Sequence, residues 1–288
     1  MTTNLHGRTA VVTGANSGLG LVTATELSRA GAQVILAVRN VEAGKEAART
    51  IGGDVEVREL DLASLASVRA FAAGISSLDL LINNAGAVLL GPRRETSDGF
   101  ELHMGTNMLG HFALTGLLLD ALAPQARVVN LSSITHKRAR LNFDDLMSRQ
   151  NYGASRAYGV SKLACTVFGL ELDRRLRAAG RPITAVLAHP GITRTNLTPR
   201  AWEHRGRLGR LIAAASVVTT QPVERGAEPQ LHAATAPGLR GGEFFGPAGF
   251  LEMRGRVTAV RPSATAADPA VGKRLWAVAE ELTGVSYL

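Results

Sequence analysis

The sequence predicts one doubly wound α/β domain, and three observations carry that prediction. Apolar, β-branched runs alternate with longer stretches of helical period, a glycine-rich turn directly follows the first run, and no linker interrupts the alternation before about His189. The runs Thr9–Thr13, Gln33–Val38, Val55–Val57, Leu78–Ile82, Arg127–Leu131 and Ile183–Leu187 are near-continuous in apolar residues, as strands covered on both faces must be. Between them, Leu19–Ala30 reads as a helix stopped by Gly31, and Val41–Thr50 as one stopped by Gly52 and Gly53. Leu65–Ala73 follows Ser64, a side chain suited to accept a first-turn N–H. Phe100–Leu122 is expected to be one helix ending before Pro124, and Tyr158–Ala179 another ending at Gly180 and Pro182. Beyond His189 the pattern degrades. Residues 192–221 hold Pro199, Gly206 and Gly209 and read as a mobile segment over the sheet edge. Residues 241–288 read as an extension, first the turn-rich GGEFFGPAGF and then a helix from Asp268 and Pro269 to Leu282. The expectation is therefore a single domain over 1–288 with its core at about 8–191.

Composition supports a buried core and excludes several function classes. Hydrophobic residues make up 45% of the 288 and charged residues 19%, which is globular usage. Cys165 is the lone cysteine, so neither a disulfide framework nor a cysteine-based zinc site is available, and a cytoplasmic location is expected. The longest apolar stretches, Phe112–Leu119 and Leu211–Val218, fall short of the roughly 20 residues that span a bilayer. The N-terminal residues carry no signal-peptide pattern, and no membrane association is expected. The net charge of +8 invites a nucleic-acid reading, but the arginines are scattered and no recognition motif accompanies them, so nucleic acid is not an expected partner. The preference for arginine over lysine, with abundant alanine and glycine, suits a GC-rich coding sequence better than a phosphate-binding tract.

The turn after the first run reads TGANSGLG, with glycines at 14, 18 and 20 and a helix opening at the last. A strand-to-helix turn without side chains lets the backbone approach a pyrophosphate, which the exposed N–H groups and the positive helix end then hold. Glycines in turns also occur for conformational reasons alone. At the end of the second run, Val38 stands where an acidic residue would accept a ribose hydroxyl, and Arg39 follows. A guanidinium facing a 2′-phosphate with no opposing carboxylate favours NADP(H) over NAD(H). The alternative is that Arg39 is one more surface arginine.

In YGVSK, Tyr158 and Lys162 are four residues apart on one helix face. A neighbouring cation favours phenolate and moves a phenol toward a working range for proton transfer. The pattern alone is common on ordinary helices. Its company is not: Asn83, Asn84, Ala85 and Gly86 close the fourth run, Asn107 lies in the helix after it, and Ser132 and Ser133 close the fifth. All fall at or near the carboxyl ends of parallel strands, the edge at which open α/β sheets place ligands.

Together TGANSGLG, NNAG, Asn107, the serine after VVNLS, YGVSK and HPGITRT resemble the short-chain dehydrogenase/reductase family, in its motif order, over residues 8 to about 195. The stretch NMLGHF, the 25 residues from Ser133 to Tyr158, and the tail GGEFFGP with LWAVAEELTG are similar to the branch of retinol-dehydrogenase-like and WW-domain-oxidoreductase-like proteins. The chain lacks the membrane anchor and the WW module of those relatives, which suggests a soluble bacterial member, and a retinoid substrate does not carry over.

The resemblance implies a Rossmann-type sheet of about seven parallel strands flanked by helices. It implies Tyr158 as general acid/base, Lys162 on the nicotinamide ribose, Ser133 on the substrate oxygen, and Asn107 bending its helix and holding a water in a relay to Lys162. It further assigns Gly14, Asn16, Ser17, Gly18 and Leu19 to the pyrophosphate, Arg39 to the 2′-phosphate, Asp61 and Leu62 to the adenine, and Asn83, Ala85 and Gly86 to the adenine ribose. Pro190, Gly191, Ile192 and Thr195 are assigned to the carboxamide. For Asp61 a helix-capping role, and for Asn83 a turn-forming role, remain open. Tyr152 precedes Arg156 by four residues and is a decoy for the same pattern; Ser132 is expected to cap its strand end. His111, His136 and His189 show no metal-ligand spacing and read as core or surface histidines. Cys165 reads as a small hydrophobe, and Trp202 and Trp276 as packing residues.

The expected activity is an NADP-dependent interconversion of a carbonyl and a secondary alcohol, on a small molecule whose preference would reside in 192–221. The alternative is a cofactor-binding regulatory or scaffold protein without turnover. The family's habit of pairing the long helices, here around Phe112 and Phe168, suggests a homodimer or homotetramer.

Overall fold

In the computed structural model, residues 4–193 and 221–288 are described. Expectations that fall on 194–220, among them Thr195, Trp202 and most of the substrate segment, lie outside the described residues. Strand β1 (Thr9–Thr13) leads through the glycine turn into α1 (Gly18–Arg29) and back to β2 (Gln33–Val38). Then α2 (Val41–Ile51), β3 (Val55–Glu59), α3 (Leu65–Ala73) and β4 (Leu78–Asn83) complete the first half. The second half runs through α4 (Gly110–Leu117), β5 (Leu122–Leu131), α5 (Ala154–Ala178) and β6 (Thr184–Ala188). It ends with α6 (Val223–Thr235), β7 (Phe244–Pro247), β8 (Val257–Ala259) and α7 (Pro269–Thr283), the last preceded by a single helical turn at Ala264–Ala267.

The strands form one sheet in the order β3-β2-β1-β4-β5-β6-β7-β8. Alternate residues feed opposite cores. Val11, Ile35, Leu81, Val128 and Ala185 are paired across the sheet and face the layer of α3, α4, α5 and α7, while Val12, Leu36, Ile82, Val129 and Val186 face the layer of α1, α2 and α6. Strand order reverses between β1 and β4, and that switch point opens a crevice at the carboxyl ends of both.

The sheet has the seven parallel strands expected, β1 to β7, and an eighth, β8, antiparallel to β7 at the edge. Four expectations are corrected. β7 falls within GGEFFGPAGF, where Gly246 and Pro247 suggested turns; the sheet tolerates Pro247 because β7 pairs over only two residues with β6. The helix expected over Phe100–Leu122 is instead a π-helical turn at Met104–Leu109 followed by α4, and β5 begins at Leu122, before Pro124. Gln125, with φ of 66°, kinks the start of that strand and donates its N–H to the Pro182 carbonyl. α5 starts at Ala154, a turn earlier than Tyr158, after Gly153 as N-cap. α6 contains Pro229, a residue that removes a helical hydrogen bond and hid the helix from a pattern reading.

The helices around Phe112 and Phe168 are covered within the chain. Phe112 packs against Trp276 at 5.0 Å and Tyr287 at 5.0 Å between centroids, and Phe168 lies 6.0 Å from Trp276. Phe112 and Phe168 are both buried within the chain.

Candidate active site

The glycine turn is built around two residues in the left-handed region, Gly14 at φ 65° and Gly18 at φ 56°. A methyl group on Gly20 would stand 2.4 Å from the Gly14 carbonyl oxygen, so the first turn of α1 lies directly on the loop. Ser17, the N-cap of α1, makes no capping bond with its side chain, and the first turn has no acidic residue. The first N–H groups and positive end of a 12-residue helix therefore meet no side-chain anion. Asn16 and Leu19 are half-buried in the same turn.

The NNAG segment folds over the tip of β1. The Asn84 and Ala85 N–H groups both donate to Thr13 Oγ1 at 2.9 Å, and Asn84 Nδ2 donates to the Thr13 carbonyl at 2.7 Å. Asn84 Oδ1 is buried without a partner. Asn83 turns inward instead, donating to Thr115 Oγ1 and Asn130 Oδ1 at 3.0 Å each, so its side chain joins β4, α4 and β5. At the neighbouring strand ends, Arg39 is exposed and makes no ion pair among the described residues. The Leu60 N–H bonds to the Val38 carbonyl, which brings Asp61 beside that end. Asp61 accepts the Ala63 N–H at 2.9 Å and so shapes the entry to α3, while Leu62 is buried behind it.

Tyr158 is half-buried on α5 and Lys162, one turn along, is 4% exposed. Lys162 Nζ donates to the Leu131 carbonyl at 3.0 Å, and Ser132 Oγ bonds to the Lys162 carbonyl and Thr166 Oγ1 at 3.1 and 2.6 Å. Ser132 thus fastens the tip of β5 to α5, a longer-range role than a strand-end cap. Ser133 is extended, and its Oγ accepts the Thr135 N–H at the start of a 3₁₀ helix over Ile134–Arg138. A methyl group on Gly86 would fall 3.4 Å from Lys162 Nζ and 3.5 Å from Asn107 Oδ1, which marks where β4, the π turn and α5 converge.

The π turn is anchored on every side. Asn107 Oδ1 accepts the Ala87 N–H at 2.6 Å, and its Nδ2 donates to Ser161 Oγ and the Ala87 carbonyl at 2.9 and 3.2 Å. Ser161 Oγ in turn donates to the Tyr158 carbonyl. A π turn misplaces one backbone carbonyl, and here that of Asn107 accepts both Cys165 Sγ–H and His111 Nδ1–H, at 3.1 and 2.9 Å. Cys165 therefore does more than fill space. The other nitrogen of His111 lies 2.9 Å from Thr13 Oγ1, and burial pushes its pKa down to about 4, so a neutral imidazole spans the π turn and β1.

His103 meets the Tyr158 ring edge-on, with centroids 6.0 Å apart. The Leu89 N–H donates to its Nε2 at 3.0 Å, so Nδ1 carries the proton and donates to Glu101 Oε1 at 2.8 Å. Burial pushes the Glu101 carboxyl up, but hydrogen bonds from His103 and the Met104 N–H outweigh it and hold the group below its ordinary value. Tyr152, the decoy, points at this carboxylate; burial and then the Glu101 charge raise its pKa, away from proton transfer. Neither His103 nor Glu101 was legible as part of the site, because neither belongs to a short motif.

After β6, Gly191 takes φ 65°, and a methyl group there would stand 2.3 Å from the Met253 carbonyl oxygen. That carbonyl accepts the Ile192 N–H at 2.8 Å, and the Pro190 carbonyl accepts Thr193 Oγ1–H and Gln221 Nε2–H at 3.0 and 2.7 Å. The loop expected at a carboxamide is thus held from the far end of the chain. Among the described residues no group of histidine, cysteine, aspartate or glutamate could hold a metal ion, and no helix is long and apolar enough to cross a membrane.

Residues 8–206 match the short chain dehydrogenase family. The chain is a member of that family. It is 40% identical over 300 residues to retinol dehydrogenase 13 of Homo sapiens, covering 98% of this chain and 86% of that protein. It is 41% identical over 296 residues to retinol dehydrogenase 12 of Bos taurus, with coverage of 98% and 88%. A crystal structure of an uncharacterized protein from Mycobacterium Paratuberculosis superposes with a TM-score of 0.85 at 45% identity, covering 99% of this chain and 97% of that one. The Pseudomonas aeruginosa RhlG/NADP active-site complex superposes at 0.67 and 27% identity, covering 84% and 94%. This short-chain dehydrogenase belongs to the retinol-dehydrogenase-like branch and is an NAD(P)-dependent oxidoreductase acting on CH–OH or C=O groups.

Proposed function

We propose that the enzyme interconverts a small-molecule carbonyl and the corresponding secondary alcohol with NADP(H), using Tyr158 as the proton donor and acceptor. The observation that carries this reading is the convergence at Gly86. The Lys162 ammonium, the Asn107 amide and the backbone after β4 meet beside the helix that bears Tyr158, at the same sheet edge as the uncapped α1 N-terminus.

The residues present fit a dinucleotide. The first turn of α1 offers free N–H groups to a pyrophosphate, Asn84 Oδ1 is a buried acceptor that lacks a donor, and β2 ends in Val38 rather than in an acidic residue that would oppose a 2′-phosphate beside Arg39. The RhlG complex supports the NADP choice in a protein of similar fold. When bound, the nicotinamide supplies or accepts the hydride at the substrate carbon. Tyr158 Oη gives its proton to the substrate oxygen during reduction and takes one back during oxidation. Ser133 Oγ holds the same oxygen by a hydrogen bond and stabilises the charge that develops there. Lys162, one helical turn from the phenol, would hydrogen-bond the ribose hydroxyls of a bound dinucleotide, and the Pro190–Ile192 loop would meet its carboxamide.

Tyr158→Phe tests the assignment. The variant should bind NADPH within about twofold of wild type by fluorescence titration while kcat falls at least about a hundredfold, the range lost with a general acid. Turnover equal to wild type would remove Tyr158 from the mechanism.

A further inference from the structure

A carboxylate from the C-terminal extension joins the two loops that flank the proposed reaction centre. Glu252 Oε1 accepts Lys137 Nζ at 2.5 Å, and its Oε2 accepts His189 Nε2 at 3.0 Å. Lys137 belongs to the 3₁₀ helix that Ser133 opens. His189 ends the run from β6 into the Pro190–Ile192 loop and is fully buried. The Gly191 N–H donates to His189 Nδ1 at 3.2 Å, which leaves the ring proton on Nε2 and directs it at Glu252. A methyl group on Gly246 would stand 2.2 Å from that Nε2, so the imidazole rests on bare β7 backbone and has no room to turn.

The backbone that presents Glu252 is unusual. Leu251 and Glu252 take φ of 49° and 56°, a region that non-glycine residues occupy when surrounding contacts require it. Glycine or asparagine would close this turn with less strain, so the side chain is the reason for a glutamate here. The turn is pinned by the Ala248 and Gly249 N–H groups donating to the Arg256 and Arg254 carbonyls at 2.8 and 2.9 Å. Hydrogen bonds from His189 and Lys137 hold the Glu252 carboxyl down to about 2 despite partial burial, so it is an anion throughout the working range.

We propose that Glu252 is a positioning residue: it sets the spacing between Ser133 and the Pro190–Ile192 loop before cofactor or substrate arrives. The roles of those two loops rest on the function proposed above, but the clamp is a property of the cofactor-free chain. Removing it leaves the loop in its competent arrangement only part of the time, and apparent affinity falls by that fraction.

Glu252→Gly deletes both contacts while relieving the left-handed backbone, so its effect is not a folding defect of the turn. In the cofactor-free variant, the Gly191 and Ile192 amides should exchange with deuterium about tenfold faster than in wild type, with strand β1 unchanged. The NADPH Kd should rise about tenfold. Glu252→Gln, which keeps one accepting oxygen, should recover part of both. Lys137→Met cuts only the Ser133 arm and should raise KM for the carbonyl with the NADPH Kd unchanged. Wild-type exchange at Gly191 and Ile192 in Glu252→Gly, or an equal NADPH Kd, would overturn the clamp. If wild type itself neither binds NADPH nor turns over, the functional reading fails, and the exchange rates still decide the clamp.

Discussion

Arg39→Ala is the perturbation that bears most directly on cofactor choice. The side chain stands exposed at the carboxyl end of β2, unpaired among the described residues, with Val38 buried behind it and Asp61 at the neighbouring strand end. A hydrogen bond to a charged acceptor contributes about 1.5–3 kcal/mol net. Exposure and salt screening place Arg39 at the low end of that range. A loss of about 1.5 kcal/mol corresponds to a roughly tenfold weaker NADPH complex, because 1.4 kcal/mol is a factor of ten. NADH has no 2′-phosphate and should lose less than about twofold on the same scale. The assay is fluorescence titration of both cofactors at low and high salt, and the NADPH difference should shrink as salt rises. Arg39→Asp should go further and favour NADH, since a carboxylate accepts from the free ribose hydroxyl and repels the phosphate. Equal losses for the two cofactors, or an NADH preference in the wild-type enzyme, would refute the argument.

Acid should destabilise the fold in a window set by two histidines. His111 and His136 are buried with pKa values pushed from 6.5 down to about 4 by desolvation, so the unfolded chain takes up protons below pH 6.5 while the folded chain resists until about 4. Stability is therefore full above the unfolded value and is lost across that window, by about 3 kcal/mol per histidine. Thermal melts should show a lower Tm at about pH 5 than at about pH 7, and a Tm that does not change between them would contradict the buried neutral rings. In the core between the sheet and the layer of α3, α4, α5 and α7, Trp276 is 2% exposed, lies 4.7 Å from the Tyr287 ring and carries the Arg175 guanidinium at 4.4 Å. Trp276→Ala should cost about 3–5 kcal/mol in urea unfolding, a large share of a domain's stability, and a cost under about 1 kcal/mol would mean the helix layer closes without it.

What could be read from the sequence was local. Gly14 and Gly18 declare themselves because the chain needs a left-handed backbone there, and β1 and β2 because both faces are buried and the apolar run is unbroken. Asp268 and Pro269 mark the start of α7 through a side-chain cap and a fixed φ. The π turn was not legible, since six residues that are nearly all buried give no phase by which a longer helical period could be told from the usual one. Pro124 and Gln125 interrupt the first half of β5 and hide where it starts, and Pro229 inside α6 breaks the pattern by which a helix shows in the sequence. The contacts that complete the site were invisible for a different reason. Glu252 reaches partners 63 and 115 positions away, His103 acts through a ring-to-ring contact with Tyr158, and no short pattern records either.

That Glu252 and Trp276 follow Tyr158 and Lys162 in the chain has a bearing on how the molecule is made. Contacts of large sequence separation form late, and during synthesis the earlier segments collapse first. A ribosome would release the phenol, the ammonium and the glycine turn well before the residues that fasten the loops and roof the helix layer. Until residues 252 and 276 emerge, the nascent chain would hold the phenol and the ammonium without the carboxylate that joins the two loops or the indole that covers Phe112 and Phe168.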